Sequence, residues 1–283
     1  MSVFEIVGER GRVKEPCALL LGGFDGLHAG HASLLAAARE TGMPIAITSI
    51  GGVKKGGDLF TREERRTLFR EAGVSCVLEF SFTEEFQTTS AEDFLSRLLE
   101  RVNAKAIFCG EDFRFGKGAA GTPALLKELA TCPVTVLPLL RINGEKAAVS
   151  RVKELLAEGR IEEANALCPF FLQGIVEHGR QVGLTYGFPT LNISYPQEKF
   201  AMKEGVYCGK VKTPIGEFSS IINFGARPTF GVTERKLEAY LKGFSGDLYG
   251  AEVRIEPQRY LRDIRTFSSR EELKEQLKED LKS

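Results

Sequence analysis

The sequence predicts an α/β domain built on a parallel sheet, followed by an antiparallel β domain. Up to about residue 140, short apolar runs alternate with amphipathic helical patterns, as they do in βαβ units. Beyond about residue 170, Gly, Pro and aromatic residues separate short strand patterns, as in antiparallel barrels or sandwiches. The charged stretch Arg151–Leu167, with Gly159 inside it, is predicted to be a connecting helix. A chain of 283 residues is long for a single core, which also favours two domains.

The elements of the first domain follow from hydrophobic periodicity. Uninterrupted apolar runs indicate buried strands, and apolar positions three or four residues apart indicate helices that cover the sheet. The predicted strands are Ala18–Leu21, Pro44–Ile50, Cys76–Phe80, Ala104–Cys109 and Val134–Leu139. The predicted helices are Ala32–Arg39, Arg62–Ala72 and Ala91–Val102.

The second domain is predicted to consist of short strands and one terminal helix. The strand patterns are Gly174–Glu177, Gly205–Lys212, Phe218–Asn223, Lys236–Phe244 and Ala251–Pro257. In Ser268–Leu281, the apolar residues Leu273 and Leu277 lie four positions apart, which indicates an amphipathic helix at the end of the chain.

Composition limits the classes of partner. Lys and Arg together number 38, as do Asp and Glu, so the absence of net charge argues against a nucleic-acid or anionic-membrane binder. Small molecules are therefore the expected partners, and an oligomer cannot be derived. The six cysteines form no C-x-x-C pair, which argues against a zinc site or a disulfide framework. No signal-like N-terminus and no apolar run of about 18 residues are present, so we expect a cytoplasmic protein.

The segment Gly22 to His31 predicts a phosphate site. It joins an apolar strand to a helix, so its end lies where free backbone N–H groups and the helix dipole favour an anion. His28 and His31 are three residues apart and share a helical face, from which both imidazoles can stabilise charge on phosphorus. A single histidine is more often an ordinary surface or core residue, but the combination favours the site. The predicted phosphate contacts of this segment are Gly22, Phe24, Asp25 and Gly30.

A second loop, Gly110 to Gly116, follows another predicted strand. Ligands of α/β sheets bind beyond the carboxyl ends of the strands, so this loop should lie beside the histidine segment. Arg114 could bind a phosphate, and Phe113 and Phe115 could stack on a flat ring. The alternative is a loop carrying two core phenylalanines.

The second domain contains a glycine-rich segment that ends in Pro189, Thr190, Leu191 and Asn192. Its glycines, among them Gly183 and Gly187, suit a loop that binds phosphate through backbone N–H groups. On an extended segment Thr190 and Asn192 share a face, where their oxygens can bind Mg²⁺ and its phosphates. Mn²⁺ accepts the same oxygen ligands, and Thr and Asn also occur in strands for structural reasons alone.

These segments resemble known families. The histidine segment is similar to the signature of the HxGH nucleotidyltransferases. The half after Leu172 resembles riboflavin kinase through Gly205 to Tyr207, Asn223 to Phe230, Leu237 to Tyr240 and Gly246 to Gly250. Taken together, the chain resembles the bacterial bifunctional riboflavin kinases and FAD synthetases over nearly all of its length.

The resemblance implies a Rossmann-like HxGH nucleotidyltransferase domain over residues 1–157 and an antiparallel β-barrel riboflavin kinase domain with a terminal helix over 158–283. The second domain would phosphorylate riboflavin with ATP and Mg²⁺ (or Mn²⁺) to FMN. The first would adenylylate FMN with a second ATP, giving FAD and pyrophosphate. Riboflavin, FMN, FAD and ATP are then the small molecules bound.

The resemblance also implies roles for individual residues. His28 and His31 steady ATP phosphates, Thr190 and Asn192 hold the metal and ATP, and Glu238 is the general base for the ribityl 5′-hydroxyl. Further positions are expected to line the ATP and flavin sites: Asp112, Phe113, Arg114, Ser150, Arg151, Asn223 and Arg227.

Two segments depart from the family pattern. A Phe-x-Pro-His-Pro segment is common after the second strand, where this chain has Thr48 to Lys55 without histidine or proline. The Ser-Ser-Thr-x-Ile-Arg segment is replaced by Ala148 to Lys153, whose lysine lacks the bidentate geometry of arginine. Two alternatives therefore stay open: a riboflavin kinase with a binding-only first domain, and a flavin-sensing regulatory protein, although binding alone requires no general base.

Overall fold

The computed structural model describes residues 4–8, 11–52, 56–142, 144–178, 190–229, 232–265, 267 and 269–282. The chain divides into two compact units, Met1–Arg151 and Val152–Ser283. The division expected from the sequence, between residues 157 and 158, lies a little further along the chain.

The first unit contains a parallel sheet with the strand order β1-β4-β3-β2-β5-β6. The strands are β1 (Glu5–Val7), β2 (Val13–Leu20), β3 (Ile45–Gly51), β4 (Cys76–Ser81), β5 (Val102–Gly110) and β6 (Val134–Leu137). The predicted parallel α/β architecture is confirmed. The three-residue edge strand β1 was not predicted, because so short a segment carries no periodicity.

Five helices of the described chain accompany this sheet, and all but the third of them have buried residues. They are α1 (Ala29–Arg39), α2 (Arg62–Glu71), α3 (Glu84–Thr88), α4 (Ala91–Arg101) and α5 (Pro123–Leu129). Thr61 forms a capping box with Glu64 at the start of α2, so two backbone N–H groups that lack helical partners are satisfied there. None of the helices in the described part of the chain is long and apolar enough to cross a membrane.

A hairpin and two helices follow the sheet. The hairpin is formed by β7 (Arg141–Ile142) and β8 (Glu145–Lys146), and the helices are α6 (Val149–Glu158) and α7 (Ile161–Leu167). The prediction of one helix through Gly159 is wrong. Gly159 has φ +79°, and its N–H and that of Arg160 bond back to the carbonyls of Leu156 and Leu155, which ends α6.

The second unit is a nearly closed antiparallel barrel with the strand order β10-β13-β12-β11-β14-β9. The strands are β9 (Leu172–Ile175), β10 (Thr190–Ser194), β11 (Gly205–Thr213), β12 (Gly216–Thr229), β13 (Val232–Leu241) and β14 (Glu252–Arg262). A bridge between Glu177 and Asn192 brings the segment after β9 to β10. Of the two architectures that the sequence left open, the barrel is therefore the one observed.

The bounds of several barrel strands differ from those predicted: β9 starts at Leu172 and ends at Ile175, and β14 continues past Pro257 to Arg262. β12 extends beyond the predicted Phe218–Asn223 at both ends, and β13 starts before Lys236 and stops before Phe244. Hydrophobic patterning marks only the buried part of a strand, whereas the backbone ladder between β12 and β13 continues through polar residues to Thr229 and Val232.

The terminal helix α8 (Arg270–Asp280) confirms the predicted final element, and an ion pair ties it to β14. Arg262 donates to Asp280 from Nε at 3.0 Å and from Nη2 at 2.7 Å, and the Asp280 side chain is 4% exposed. Breaking a buried pair leaves the partner charge unpaired. We expect Asp280→Asn to lower the free energy of unfolding of this unit by about 3 kcal/mol. Calorimetric unfolding measures the effect. Glu279→Gln, which removes an exposed pair with Lys282, should leave the transition unchanged.

Three cysteine thiols of the parallel sheet are buried and unreactive. Burial raises the pKa of Cys17 to about 11, of Cys76 to about 12 and of Cys109 to about 11. Only thiolates react with alkylating agents, and these thiols stay protonated at neutral pH. We expect iodoacetamide at pH 8 to label the half-buried Cys208 of the folded protein before these three, which should react only after unfolding. Peptide mass spectrometry tests this order, and early labelling of Cys109 would contradict it.

Candidate active sites

The two histidines of the first unit lie at the N-terminus of α1. His28 is the N-cap residue, and its Nδ1 accepts a hydrogen bond from the backbone N–H of His31 at 3.3 Å. The two imidazole centroids are 3.6 Å apart and the rings are stacked. The helix begins at Ala29 rather than at the predicted Ala32, so that both histidines belong to its first turn. One surface therefore presents both rings together with the free N–H groups of a helix start.

The hydrogen bonds of the two rings assign different tautomers. His31 Nδ1 lies 2.7 Å from the carbonyl oxygen of Gly26, which can only accept, so this nitrogen carries a proton. His28 Nδ1 accepts a bond, so the proton of a neutral His28 ring is on Nε2. In both rings Nε2 is the second nitrogen, and its role follows from the proton on Nδ1 or Nε2. His28 donates from it when neutral, whereas His31 donates from it only when protonated.

The residues before the histidines are held by hydrogen bonds and by packing inside the protein. The hydroxyl of Thr48 donates to the Gly22 carbonyl at 2.7 Å and accepts from the Gly22 N–H at 3.1 Å. Phe24 is buried with φ +41°, and its ring centroid lies 4.1 Å from that of His31. A Cβ on Gly22 would lie 2.7 Å from the Phe24 ring, which explains the glycine. The Phe24 side chain is buried against His31, and a phosphate contact of this residue stays a prediction.

Asp25 also differs from the expectation. Its carboxylate is buried and accepts from the Leu59 N–H at 2.9 Å and from the Phe60 N–H at 3.4 Å. Arg65 Nη1 lies 3.7 Å from it. A buried carboxylate that already bonds amides and a guanidinium is not placed to bind a phosphate, which it would repel. The side chain of Asp25 is therefore structural.

The start of α6 lies beside the histidines. A Cβ built on Gly30 would be 3.1 Å from His28 Cε1 and 3.7 Å from the Ala147 carbonyl oxygen, so only glycine allows this approach. Ser150 is exposed in the first turn of α6. Arg151 bonds the Glu145 carboxylate from Nε at 2.5 Å and from Nη2 at 3.1 Å. The backbone just before α6 therefore approaches the histidine loop, and Ser150 and Arg151 follow it in the first turn of this helix.

The 110–116 loop reaches the same segment. Lys146 Nζ lies 2.5 Å from Asp112 Oδ2, and Arg114 Nη1 donates to the Phe113 carbonyl at 2.8 Å. Phe113 stacks on Phe115 at a centroid distance of 5.4 Å. Phe115 is buried in the core, so the two phenylalanines do not both face a ligand. The half-buried Phe113 is the one that remains at the surface of the loop.

The residues singled out in the second unit come together across three strands. Glu238 of β13 pairs with Asn192 of β10 on one side and with Asn223 of β12 on the other. Thr190 pairs with Tyr240, on the same face of the sheet. Opposed side chains of antiparallel strands have Cβ atoms about 5 Å apart. The strand pairing thus places a carboxylate between two amides, next to a hydroxyl.

This row is half-buried, while the neighbouring residues on the opposite face form the core. Leu237 and Ala239 of β13 are fully buried, as are Ile222 and Phe224 of β12. Asn223 Oδ1 is buried and has no hydrogen-bond partner among the described residues, which marks an acceptor that suits the hydroxyl of a ligand.

The donor set near Thr190 fits a hard cation only in part. Asn192 Nδ2 donates to the Thr190 carbonyl at 3.3 Å, which leaves the amide oxygen as the atom suited to a metal. Within the described ranges no three His, Cys, Asp or Glu residues form a metal cluster. A Mg²⁺ ion here would therefore take most of its oxygen ligands from phosphate and water, as this ion usually does.

Several predicted residues lie outside the described part of the chain. These residues are Gly183, Gly187 and Pro189 of the glycine-rich segment, and Lys54 and Lys55 of the altered segment. Arg227 lies in β12 opposite Glu234, and its side chain is not described.

Sequence reasoning missed Thr48, Arg65, Glu145 and Lys146. Thr48 interrupts an apolar run, which is a usable signal of a buried hydroxyl that bonds backbone. The contacts of the other three depend on tertiary structure that no local pattern shows.

Comparisons with known proteins match both units. A family model described as FAD synthetase matches residues 11–151, and one described as riboflavin kinase matches residues 166–283. A bifunctional riboflavin kinase/FMN adenylyltransferase of Escherichia coli K12 is 31% identical over 94% of this chain and 91% of its own length. The protein of the same name from Bacillus subtilis is 30% identical over 99% of this chain and 96% of its own.

A solved structure shares the fold. It is described as a crystal structure of a macrolide-efflux protein from Streptococcus pneumoniae, and it matches with a TM-score of 0.88 and 25% identity. The match covers 98% of this chain and 97% of the other.

Proposed function

The chain belongs to the bifunctional riboflavin kinase/FMN adenylyltransferase family. From this premise we propose which of its residues carry out each of the two reactions. The enzyme transfers the γ-phosphoryl group of ATP to riboflavin, giving FMN, and then adenylylates FMN to FAD with release of pyrophosphate. We assign adenylyl transfer to residues 1–157 and phosphorylation to residues 158–283. The alternatives of a binding-only first domain and of a flavin sensor have no support from the relatives.

In the kinase unit Glu238 is the general base. It takes the proton of the ribityl 5′-hydroxyl as that oxygen attacks the γ-phosphorus and ADP leaves. The unpartnered Asn223 Oδ1 beside it accepts a hydrogen bond from the ribityl chain. Arg227 belongs to the same flavin site. Thr190 and Asn192 hold Mg²⁺ or Mn²⁺, which offsets the negative charge of the phosphates, and the segment with Gly183, Gly187 and Pro189 binds ATP.

In the adenylyltransferase unit the FMN phosphate attacks the α-phosphorus of ATP in line with the departing pyrophosphate. Negative charge grows on the oxygens of that phosphorus, and His28 and protonated His31 stabilise it through their Nε2–H groups. Ser150 and Arg151 bind phosphate oxygens after Arg151 exchanges Glu145 for the nucleotide. Gly22 and Gly30 allow the backbone to approach the phosphates. Asp112, Phe113 and Arg114 line the flavin. No covalent enzyme intermediate is needed, so positioning and charge stabilisation supply the rate.

The single observation that carries the proposal is the row in which Glu238 lies between Asn192 and Asn223. The stacked histidines of the other unit support the assignment of adenylyl transfer. ATP labelled with ³²P at one position separates the two reactions. With riboflavin as substrate, γ-label is expected in FMN and FAD, and α-label in FAD alone. Absence of α-label from every flavin product would support the binding-only first domain. Absence of both labels would support the sensor.

A further inference from the structure

A buried charge cluster lies under the histidine loop. Arg65 of α2 is 4% exposed and approaches two carboxylates, Asp25 at 3.7 Å and Asp58 at 3.4 Å, both measured from Nη1. The same nitrogen donates to the Ile50 carbonyl at 3.3 Å. None of these side chains is exposed enough to touch a nucleotide, so the reaction described above does not use them directly.

The cluster joins three segments of backbone. The Asp25 carboxylate accepts from the Leu59 and Phe60 N–H groups, and Asp58 Oδ2 accepts from the Gly52 N–H at 2.9 Å. Arg65 itself lies one residue beyond Glu64, the partner in the capping box that fixes the start of α2. The histidine loop, the end of β3 and the segment before α2 are therefore held around one guanidinium.

The cluster is one residue away from the atom that orients His31. Asp25 directly precedes Gly26, whose carbonyl oxygen lies 2.7 Å from His31 Nδ1. Gly26 has φ +148°, a conformation that residues with side chains rarely adopt. One peptide bond thus connects the residue held by Arg65 to the residue whose carbonyl accepts from His31.

We propose that Arg65 is a positioning residue for adenylyl transfer. By balancing the charges of Asp25 and Asp58 it fixes the Gly26 carbonyl, which keeps the proton of a neutral His31 ring on Nδ1. Nε2 is then the nitrogen that takes up the second proton, and in that protonated form His31 donates from Nε2 to the phosphate. Assigning adenylyl transfer to this site rests on the proposed function, whereas the tautomer does not.

The site is shaped for arginine in particular. A Cβ on Gly51 would lie 2.6 Å from Arg65 Nη2, so the chain leaves room for the guanidinium by having glycine at this position of β3. A lysine offers one compact charge and cannot span both carboxylates and a carbonyl with a planar group. Gly51→Ala therefore displaces the guanidinium without removing a charge, and serves as a second variant if Arg65→Lys does not fold.

The first test reads the tautomer directly. The sequence has three histidines, so two-bond ¹H–¹⁵N spectra of histidine-labelled enzyme at a pH where the rings are neutral resolve each one, and His31→Asn assigns the His31 signal. The wild type is expected to show His31 as Nδ1–H and His28 as Nε2–H. In Arg65→Lys and Asp25→Asn, His31 should shift towards Nε2–H. An unchanged His31 tautomer in both variants would overturn the proposal.

The second test separates positioning from folding. We expect Arg65→Lys to lower kcat for FAD formation from FMN on the order of 100-fold, with little change in KM for ATP. FMN formation from riboflavin in the same chain should be unchanged. The matched control is Arg66→Lys, the neighbouring arginine of α2, which instead pairs with Glu79 through Nε at 2.7 Å and Nη2 at 2.6 Å. The proposal is contradicted if Arg66→Lys lowers kcat as much as Arg65→Lys does. It is also contradicted if Arg65→Lys raises KM for ATP and leaves kcat unchanged. If the wild type makes no FAD, the proposed function fails while the tautomer result still stands.

Discussion

Glu238→Gln is expected to abolish FMN formation while leaving the flavin bound. Glutamine keeps the shape of the side chain and its place between Asn192 and Asn223, but it cannot take a proton from the 5′-hydroxyl. Loss of a general base typically costs 10²- to 10⁴-fold, so we expect kcat for riboflavin phosphorylation to fall by about 1,000-fold. Steady-state assays measure kcat, and quenching of flavin fluorescence measures affinity for riboflavin.

Two controls accompany this variant. FAD formation from added FMN should continue, because that reaction uses the other unit. Glu217→Gln removes an exposed carboxylate of β12 that pairs with Lys210, and it should leave both activities unchanged. Normal turnover by Glu238→Gln would remove Glu238 from the role of base.

His31→Asn is expected to abolish FAD formation while FMN formation continues. The variant removes the Nε2 donor from the surface shared with His28 and also the ring that bonds Gly26. Removing one donor that stabilises developing charge costs about 10²- to 10³-fold in kcat. Chromatography of reactions started from FMN measures the loss.

The third histidine provides the matched control for this variant. His178 lies in the second unit, where its ring stacks on Tyr249 at 3.4 Å. His178→Asn should leave FAD formation from FMN unchanged. If His31→Asn makes FAD at the wild-type rate, the histidine pair does not stabilise the reaction.

The strands and helices of the first unit could largely be predicted because each is a strongly periodic segment. The parallel arrangement of the strands and the position of α1 after a glycine-rich loop follow from the same pattern. What could not be predicted is how side chains are used inside the loops. Asp25 and Phe24 lie in the segment that is predicted to bind phosphate, yet the side chains of both residues are buried inside the protein. A local pattern identifies the loop but does not show which of its side chains point outwards.

In the second unit the residue types predicted the site, and strand pairing explains why they meet. Thr190 and Asn192 lie on β10, which is distant in sequence from the consecutive strands β12 and β13 that carry Asn223 and Glu238. A shift of one residue in register would place Glu238 on the core face. The resemblance to known motifs indicated that these residues serve one site. Hydrophobic periodicity could not indicate this, since it predicted neither the length of β12 nor the start of β13.

The altered segments also have a physical explanation. Lys153 stands where the family has arginine, and its Nζ lies 5.4 Å from the centre of the Phe200 ring in the second unit. Arg151, two residues earlier, has a guanidinium that bonds the Glu145 carboxylate. In the other segment Thr48 binds both backbone groups of Gly22, and Gly51 makes room for Arg65.

A chromatographic time course of the purified enzyme with riboflavin, excess ATP and Mg²⁺ tests the central claim most directly. FMN is expected to appear first and then to decline as FAD forms, and a parallel reaction started from FMN should give FAD without a lag. FMN that accumulates with no FAD from either start would contradict the claim that one chain catalyses both reactions.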